Sequence, residues 1–274
     1  MATELGTILK HTRQSQRLTQ KQLADGICSQ SMLSAIEQNQ YTPNAQLLIA
    51  LCQRLNISLD EISLSNNFEI SGTAEFNQKL DKLCNAHQYQ QLYDFLQEPA
   101  VLDRIENDAQ MQAYYYYLAV AEWHIDSKPI RAGKDFQMSL ANANHNHLST
   151  LTRLGMVSSG LIKAQADQRQ AAAKWLEQAT DELDIAKYEE NLNVIFYLAG
   201  MIEFELNQWS AATKWVLDGI DFATEHDSHY MLANFYHLLA RVAEIEEQLD
   251  LRDEARQREK VFAELFKEEP YDQF

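Results

Sequence analysis

Between Leu18 and Glu37 the chain carries two short runs of apolar residues at helical spacing, separated by a stretch that continues neither. Thr19 and Gln22 form a T-x-x-Q capping box: the hydroxyl accepts one unpaired backbone N–H and the glutamine side chain takes the other, so a helix is expected from Gln20. Gly26 weakens the end of that helix, and Ser29 is a good N-cap for the next, in which Leu33 and Ile36 lie one turn apart on an apolar stripe. Ala24 is small where the two helices must cross. Leu5, Ile8 and Leu9 predict an earlier helix from about Glu4 to Gln16. Pro43 in a first turn, followed by Leu47, Leu48, Leu51 and Leu55, predicts a later one. A second capping box, Ser58-Leu-Asp-Glu61, starts a last helix, making five short helices within residues 1–65.

Beyond this head, Ser63 to Gly72 has no helical stripe and ends in small polar residues, so residues 66–72 are expected to be a linker and a hinge. From 73 to 274 the pattern repeats. Three apolar or small positions, spaced four then three apart, begin at Leu92, Ala132, Ala172 and Ala212, each start 40 residues after the last. Twelve residues before each start stand Leu80, Val120, Gly160 and Gly200, and three before stand Tyr89, Pro129, Arg169 and Trp209. A final unit around Ala243 and Ala255 reads three residues out of phase.

The paired short helices resemble the helix-turn-helix of the phage-repressor (XRE-like) family over roughly residues 1–62. The chain departs from that family in having Cys28 in the turn, one residue fewer between the helices, and Ala35 where many relatives carry a basic residue. The shorter spacing is like that of the PlcR, PrgX and Rgg group. The resemblance implies that the second helix reads DNA, with Gln30 and Ser31 outward at its N-terminus, where amides reach adenine or phosphate. Gln20, Ser29 and Ser34 complete that surface, Arg13 adds a contact near the phosphates, and Asn39, in the polar loop Gln38 to Thr42, is expected on the DNA backbone. The resemblance also pairs Arg13 with Glu37; the plainer reading leaves them as two separate surface charges.

The order of small, aromatic, alanine, bulky and small residues in the second region resembles the tetratricopeptide repeat, whose usual period is about 34 residues. A longer period implies longer helices or loops, again like the PlcR and Rap-type group. The expected fold is therefore all-α: a five-helix phage-repressor-like head, then a right-handed solenoid of about five helical hairpins. Its concave face suits an extended peptide. Repeat geometry points Arg153, Tyr197 and Met201 inward. Asn193 is a candidate backbone clamp, since an amide both donates and accepts; the plainer reading makes it a helix cap. Asn234 and His237 occupy the same stretch of the fifth unit, and within Tyr114-Tyr-Tyr-Tyr117 the last ring is expected to face the groove.

Composition constrains partners further. The chain of 274 residues has net charge −17, yet in residues 1–65 Lys10, Arg13, Arg17, Lys21 and Arg54 balance Glu4, Asp25, Glu37, Asp60 and Glu61. A neutral head makes few phosphate contacts, and affinity from counterion release follows their number, so two heads on a palindromic double-stranded operator, hence a homodimer, are expected. Met-Ala-Thr-Glu-Leu-Gly is not a secretory leader, and the most apolar stretch, Tyr114 to Trp123, is half of what spans a bilayer, so no membrane partner and a cytoplasmic location are expected. Cys28, Cys52 and Cys84 lack metal or disulfide spacing, and His145 and His147 lack companion ligands, so neither metal nor cofactor is expected. No nucleophile elbow, Walker loop or dinucleotide glycine pattern occurs, which speaks against catalysis.

As a whole the chain is similar to the peptide-pheromone regulators of Gram-positive bacteria, the group of Rap, Rgg, NprR, PlcR and PrgX. That resemblance implies a cytosolic DNA-binding homodimer controlled by a short signalling peptide. Two rival readings stay open: a repressor whose repeats only dimerise, and an adaptor whose repeats bind a protein.

Overall fold

The computed structural model describes residues 5–41, 43–55, 68–125, 129–144, 147–266, 268 and 270. Among them every regular element is helical. By its contacts the chain divides into Asn67–Val216 and a second unit comprising Ala2–Asn66 and Leu217–Phe274.

In the head, α1 (Leu5–Ser15), α2 (Gln20–Ala24), α3 (Gln30–Glu37) and α4 (Ala45–Leu55) each turn one apolar face inward. Leu9, Leu23, Ala24, Leu33, Ile36, Leu48, Leu51, Cys52 and Leu55 form one core, with Leu5, Leu18 and Ile27 against it. Each fully buried leucine contributes roughly 1.5–3 kcal/mol, which is what holds helices too short to persist alone. The capping box forms as the sequence predicts: the Thr19 hydroxyl accepts from Gln22 N, and Gln22 Oε1 accepts from Thr19 N at 2.8 Å. The segment expected to start the fifth head helix lies outside the described residues.

The repeat region is a run of antiparallel hairpins: α5 (Ala74–Asn85) with α6 (Tyr89–Leu96), α8 (Asp108–Ile125) with α9 (Pro129–Ala141), and α10 (Thr150–Gln165) with α11 (Arg169–Thr180). A short α7 (Pro99–Leu102) follows α6. Next come α12 (Leu192–Glu205) and α13 (Trp209–Glu225), then α14 (Leu232–Ile245) packed on α15 (Leu249–Phe266). The second helices begin at Tyr89, Pro129, Arg169, Trp209 and Leu249, so the 40-residue step extends to the last hairpin. The final unit therefore starts in phase, contrary to expectation; what shifts by three residues is its buried alanine, Ala255 in place of Arg252.

The turns explain the constancy of the step. His87, Asp167, Asn207 and Glu247 all have left-handed backbones, with φ of 50°, 52°, 59° and 58°. The next residue is glutamine each time, and its N–H returns to a carbonyl five residues back: Gln88 to Leu83, Gln168 to Lys163, Gln208 to Glu203 and Gln248 to Ala243. This is the Schellman closure, which satisfies helix-end carbonyls and fixes the angle at which the next helix leaves.

First and second helices of the hairpins differ in burial. Thirteen of the 16 residues of α10 are buried, against Ala172, Leu176 and Ala179 alone in the 12-residue α11. Several of the polar groups buried there are paired. Gln112 Nε2 donates to Thr152 Oγ1 at 3.0 Å, and Ser139 Oγ donates to the Gln112 carbonyl at 2.8 Å. The described part of the expected hinge is packed as well: Ile70 is fully buried, and Asn77 Oδ1 accepts from Ile70 N and Ser71 N.

Candidate functional site

The surface expected to meet DNA lies on α3. Ser29 Oγ accepts from Met32 N at 3.1 Å and lies 3.0 Å from Ser31 Oγ, so the helix starts with two exposed hydroxyls. Gln30 and Ser31 are exposed and Ser34 is half-buried, while Leu33, Ile36 and Glu37 face the core. Gln38, exposed at the end of the helix, donates to Ser34 Oγ at 3.2 Å and extends the polar strip beyond the residues picked from the sequence. The strip holds hydroxyls and amides and no charge, so it suits hydrogen-bond reading of base edges more than attraction to phosphate. The exposed cations Lys10, Arg17 and Lys21 lie off this helix.

Behind it sits a buried ion pair. Arg13 Nε and Nη2 donate to the two oxygens of Glu37 at 2.5 and 2.8 Å, and Arg13 Nη1 donates to the Leu18 carbonyl at 2.8 Å. Burial alone would push the Glu37 carboxyl up, but hydrogen bonds from Arg13 and Gln20 and the charges of Arg13 and Lys10 outweigh it, holding the group below its ordinary range. The Glu37 hydrogen bonds keep Arg13 firmly protonated. These fork-to-fork bonds tie α1 to the end of α3 and so set how α3 is presented.

Two expected DNA contacts have structural duties instead. Gln20 Nε2 donates to Glu37 Oε2 at 2.9 Å, so its amide completes the buried pair rather than reaching outward. Asn39 has a left-handed backbone, φ 56°, and its Oδ1 accepts from Gly6 N at 2.8 Å, so it locks the start of α1 rather than a phosphate. Gly6 is a residue that sequence reasoning missed. A Cβ there would stand 1.9 Å from the Ile36 carbonyl oxygen, and its one trace in the sequence is an otherwise unexplained glycine in a helical stripe.

Of the residues expected to line a groove, all but the half-buried His237 are buried. Tyr117 is buried, and its hydroxyl accepts from Phe68 N at 2.7 Å, so it does not face a groove but anchors the chain entering the repeats. Burial pushes its phenol well above the ordinary value. Arg153, also expected to face a peptide, is buried and donates through Nη1 to the carbonyls of Ala179 and Asp181 at 2.8 and 2.5 Å, capping α11. On α12, Asn193, Tyr197 and Met201 are all buried; Asn191, not Asn193, holds the N-cap position. In the last hairpin Asn234 is buried and donates to Glu268 Oε1 at 2.7 Å, while His237 Nδ1 lies 2.9 Å from Glu259 Oε1. His147 is described and His145 lies outside the described residues. No cluster of three potential metal ligands occurs among the described residues, and no described helix is long and apolar enough to cross a membrane.

A family model described as "Helix-turn-helix" matches residues 9–62, the span that contains α2 and α3. No curated protein is similar enough in sequence to match. Among solved structures, PlcR of Bacillus thuringiensis in complex with a peptide and DNA superposes with a TM-score of 0.61 at 17% identity, covering 97% of this chain and 96% of that one. The apo form of PlcR gives 0.57 at 15% identity, covering 95% and 94%. ComR from S. thermophilus, solved with DNA and its signalling peptide, gives 0.52 at 14% identity, covering 96% and 94%. The fold of this chain is thus the one those proteins share: a helix-turn-helix head joined to a helical repeat region.

Proposed function

We propose that this chain is a sequence-specific DNA-binding transcription regulator that acts as a homodimer and is controlled by a short signalling peptide held by its repeat region. The observation that carries the reading is the joining of α3, whose outward face is polar and uncharged, to hairpins of constant 40-residue step, in the end-to-end fold of proteins solved with DNA and peptide. Residues 1–65 act as the DNA-binding domain and 73–274 as the peptide-binding and dimerising one. Ser29, Gln30, Ser31 and Ser34 read or approach bases, and the Arg13–Glu37 pair fixes their orientation. On α12, Asn193, Tyr197 and Met201 are the candidate peptide contacts.

A neutral head gains little from phosphate attraction, so one copy binds weakly and two on a palindrome bind usefully. Peptide alters the balance between two arrangements of the dimer by binding one better, and about 1–3 kcal/mol of such coupling changes operator affinity five- to 150-fold. One observation favours a rival: the α12 candidates are buried within the chain, as in a repeat that only dimerises. The test is a genome-wide map of the chain's binding sites, followed by calorimetry and footprinting on the recovered operator with peptides encoded beside its gene. A palindromic footprint whose occupancy changes with one peptide is expected. An unchanged footprint and no heat of binding with any of them would leave the dimer-only repressor.

A further inference from the structure

Gln38 caps the C-terminus of α3 and is exposed on its outward face. Its N–H still returns to the Ser34 carbonyl at 3.1 Å, so the helix ladder sets where its backbone sits. Residues seven apart in a helix share a face, two turns and about 10 Å removed, and Gln38 is seven beyond the exposed Ser31. That face is opposite the one on which Leu33 and Ile36 enter the core. The backbone on either side is fastened. Glu37, just before, is clamped by Arg13 in the buried pair, and Asn39, just after, accepts from Gly6 N at 2.8 Å. Both locks tie this end of α3 to α1, so the residue between them is presented on a fixed mount. The side chain is held as well, with Gln38 Nε2 donating to Ser34 Oγ at 3.2 Å. A carboxamide has two N–H donors and a carbonyl acceptor. With one donor turned back to Ser34, a donor and an acceptor remain, the pair that adenine N7 and N6 require in the major groove. A side chain already held in one arrangement also loses less freedom on binding than a loose one.

We propose that Gln38, steadied by Ser34, is a specificity-determining residue that reads the adenine of an A·T pair about three base pairs along the half-site from the one Ser31 meets. The spacing follows from about 10 Å of helix set against a rise of roughly 3.4 Å per base pair. The inference rests on the DNA reading of α3 above and adds to it a second reading position, at the far end of the helix, and the base selected there.

The test selects duplexes from a randomised pool with the full chain, unaltered and as Gln38→Ala and Gln38→Glu, and measures affinity for every single-base change in the selected half-site. In the unaltered chain one position is expected to prefer A·T by roughly five- to 150-fold, and Gln38→Ala to bring that preference close to one while every other position keeps its own. Gln38→Glu is expected to move the same position toward C·G, because a carboxylate accepts from cytosine N4. Gln38 is exposed, so both variants are expected to melt with the unaltered chain. An equal loss of affinity for all duplexes, random ones included, would make Gln38 a contact to the DNA backbone, and an unchanged set of preferences would take it out of the interface; either overturns the proposal. Gln30→Ala, run alongside, separates the two claims. If it relaxes a position and Gln38→Ala does not, this inference fails and the α3 reading stands; if neither relaxes any position, both fail.

Discussion

Helix α3 of the head and helix α10 of the repeats solve opposite problems with similar residues. Both begin with a serine N-cap whose hydroxyl accepts from the third residue on, and both carry serines along their length. In α3 the polar residues are turned outward and the one buried charge, Glu37, is met by Arg13. In α10 serine, threonine and arginine are turned inward and satisfied within the repeat. The contrast teaches that polarity alone does not mark a binding face. What separates the two helices is whether neighbouring elements already hold their polar atoms.

The comparison breaks most visibly at the buried pair. Glu37→Ala leaves the Arg13 guanidinium buried without its partner and is expected to cost about 3–5 kcal/mol in chemical denaturation. Replacing both partners with well-packed apolar residues should recover much of that loss. The pair also predicts a pH dependence. Because the Glu37 carboxyl is held below its ordinary range in the folded head, its contribution is fully present above the unfolded glutamate pKa and lost as pH falls through the lower folded value. Acid titration of head unfolding, followed by circular dichroism, should lose this dependence in the apolar double variant.

Gly6→Ala is next, at about 1–3 kcal/mol, because the new methyl meets the Ile36 carbonyl and disturbs the Gly6–Asn39 bond together. In the repeats, Arg153→Met leaves the α11 carbonyls unpaired and is expected to lower stability by about 1–3 kcal/mol. A full loss of peptide response with stability unchanged would return Arg153 to the ligand site. The smallest effect has the opposite sign. Asn207→Gly relieves a left-handed backbone in one repeat turn and is expected to stabilise the chain by up to about 1 kcal/mol in thermal unfolding, less what glycine adds to the unfolded chain's freedom.

The head was the more legible half because its signals are local. Thr19, Gln22 and Ser29 act on neighbours three residues away, and the apolar faces of α3 and α4 show directly in the spacing of Leu33 and Ile36 and of Leu47 to Leu55. The 40-residue step was legible too, and the starts of the second helices coincide with the positions it marked, Tyr89, Pro129, Arg169 and Trp209. The turns behind that step were not: His87, Asp167, Asn207 and Glu247 share a backbone conformation without sharing a side chain, and only the glutamine after each recurs. The groove assignments for Tyr117 and Arg153 missed for another reason. Their partners, Phe68 and Ala179, lie 49 and 26 residues away, and nothing in the periodicity announces a hydrogen bond across that distance. Gln20 and Asn39 were drawn to DNA by residue type, whereas Glu37 and Gly6 claim their side chains first.

The central claim, that the open polar face of α3 reads sequence, is tested most directly by the ratio of operator to random-duplex affinity for the full chain and for Gln30→Ala at one salt concentration. The account predicts that the substitution lowers this ratio by the equivalent of about 1–3 kcal/mol, with melting temperature and random-duplex affinity unchanged. An unchanged ratio would contradict it and move the reading surface away from the N-terminus of α3.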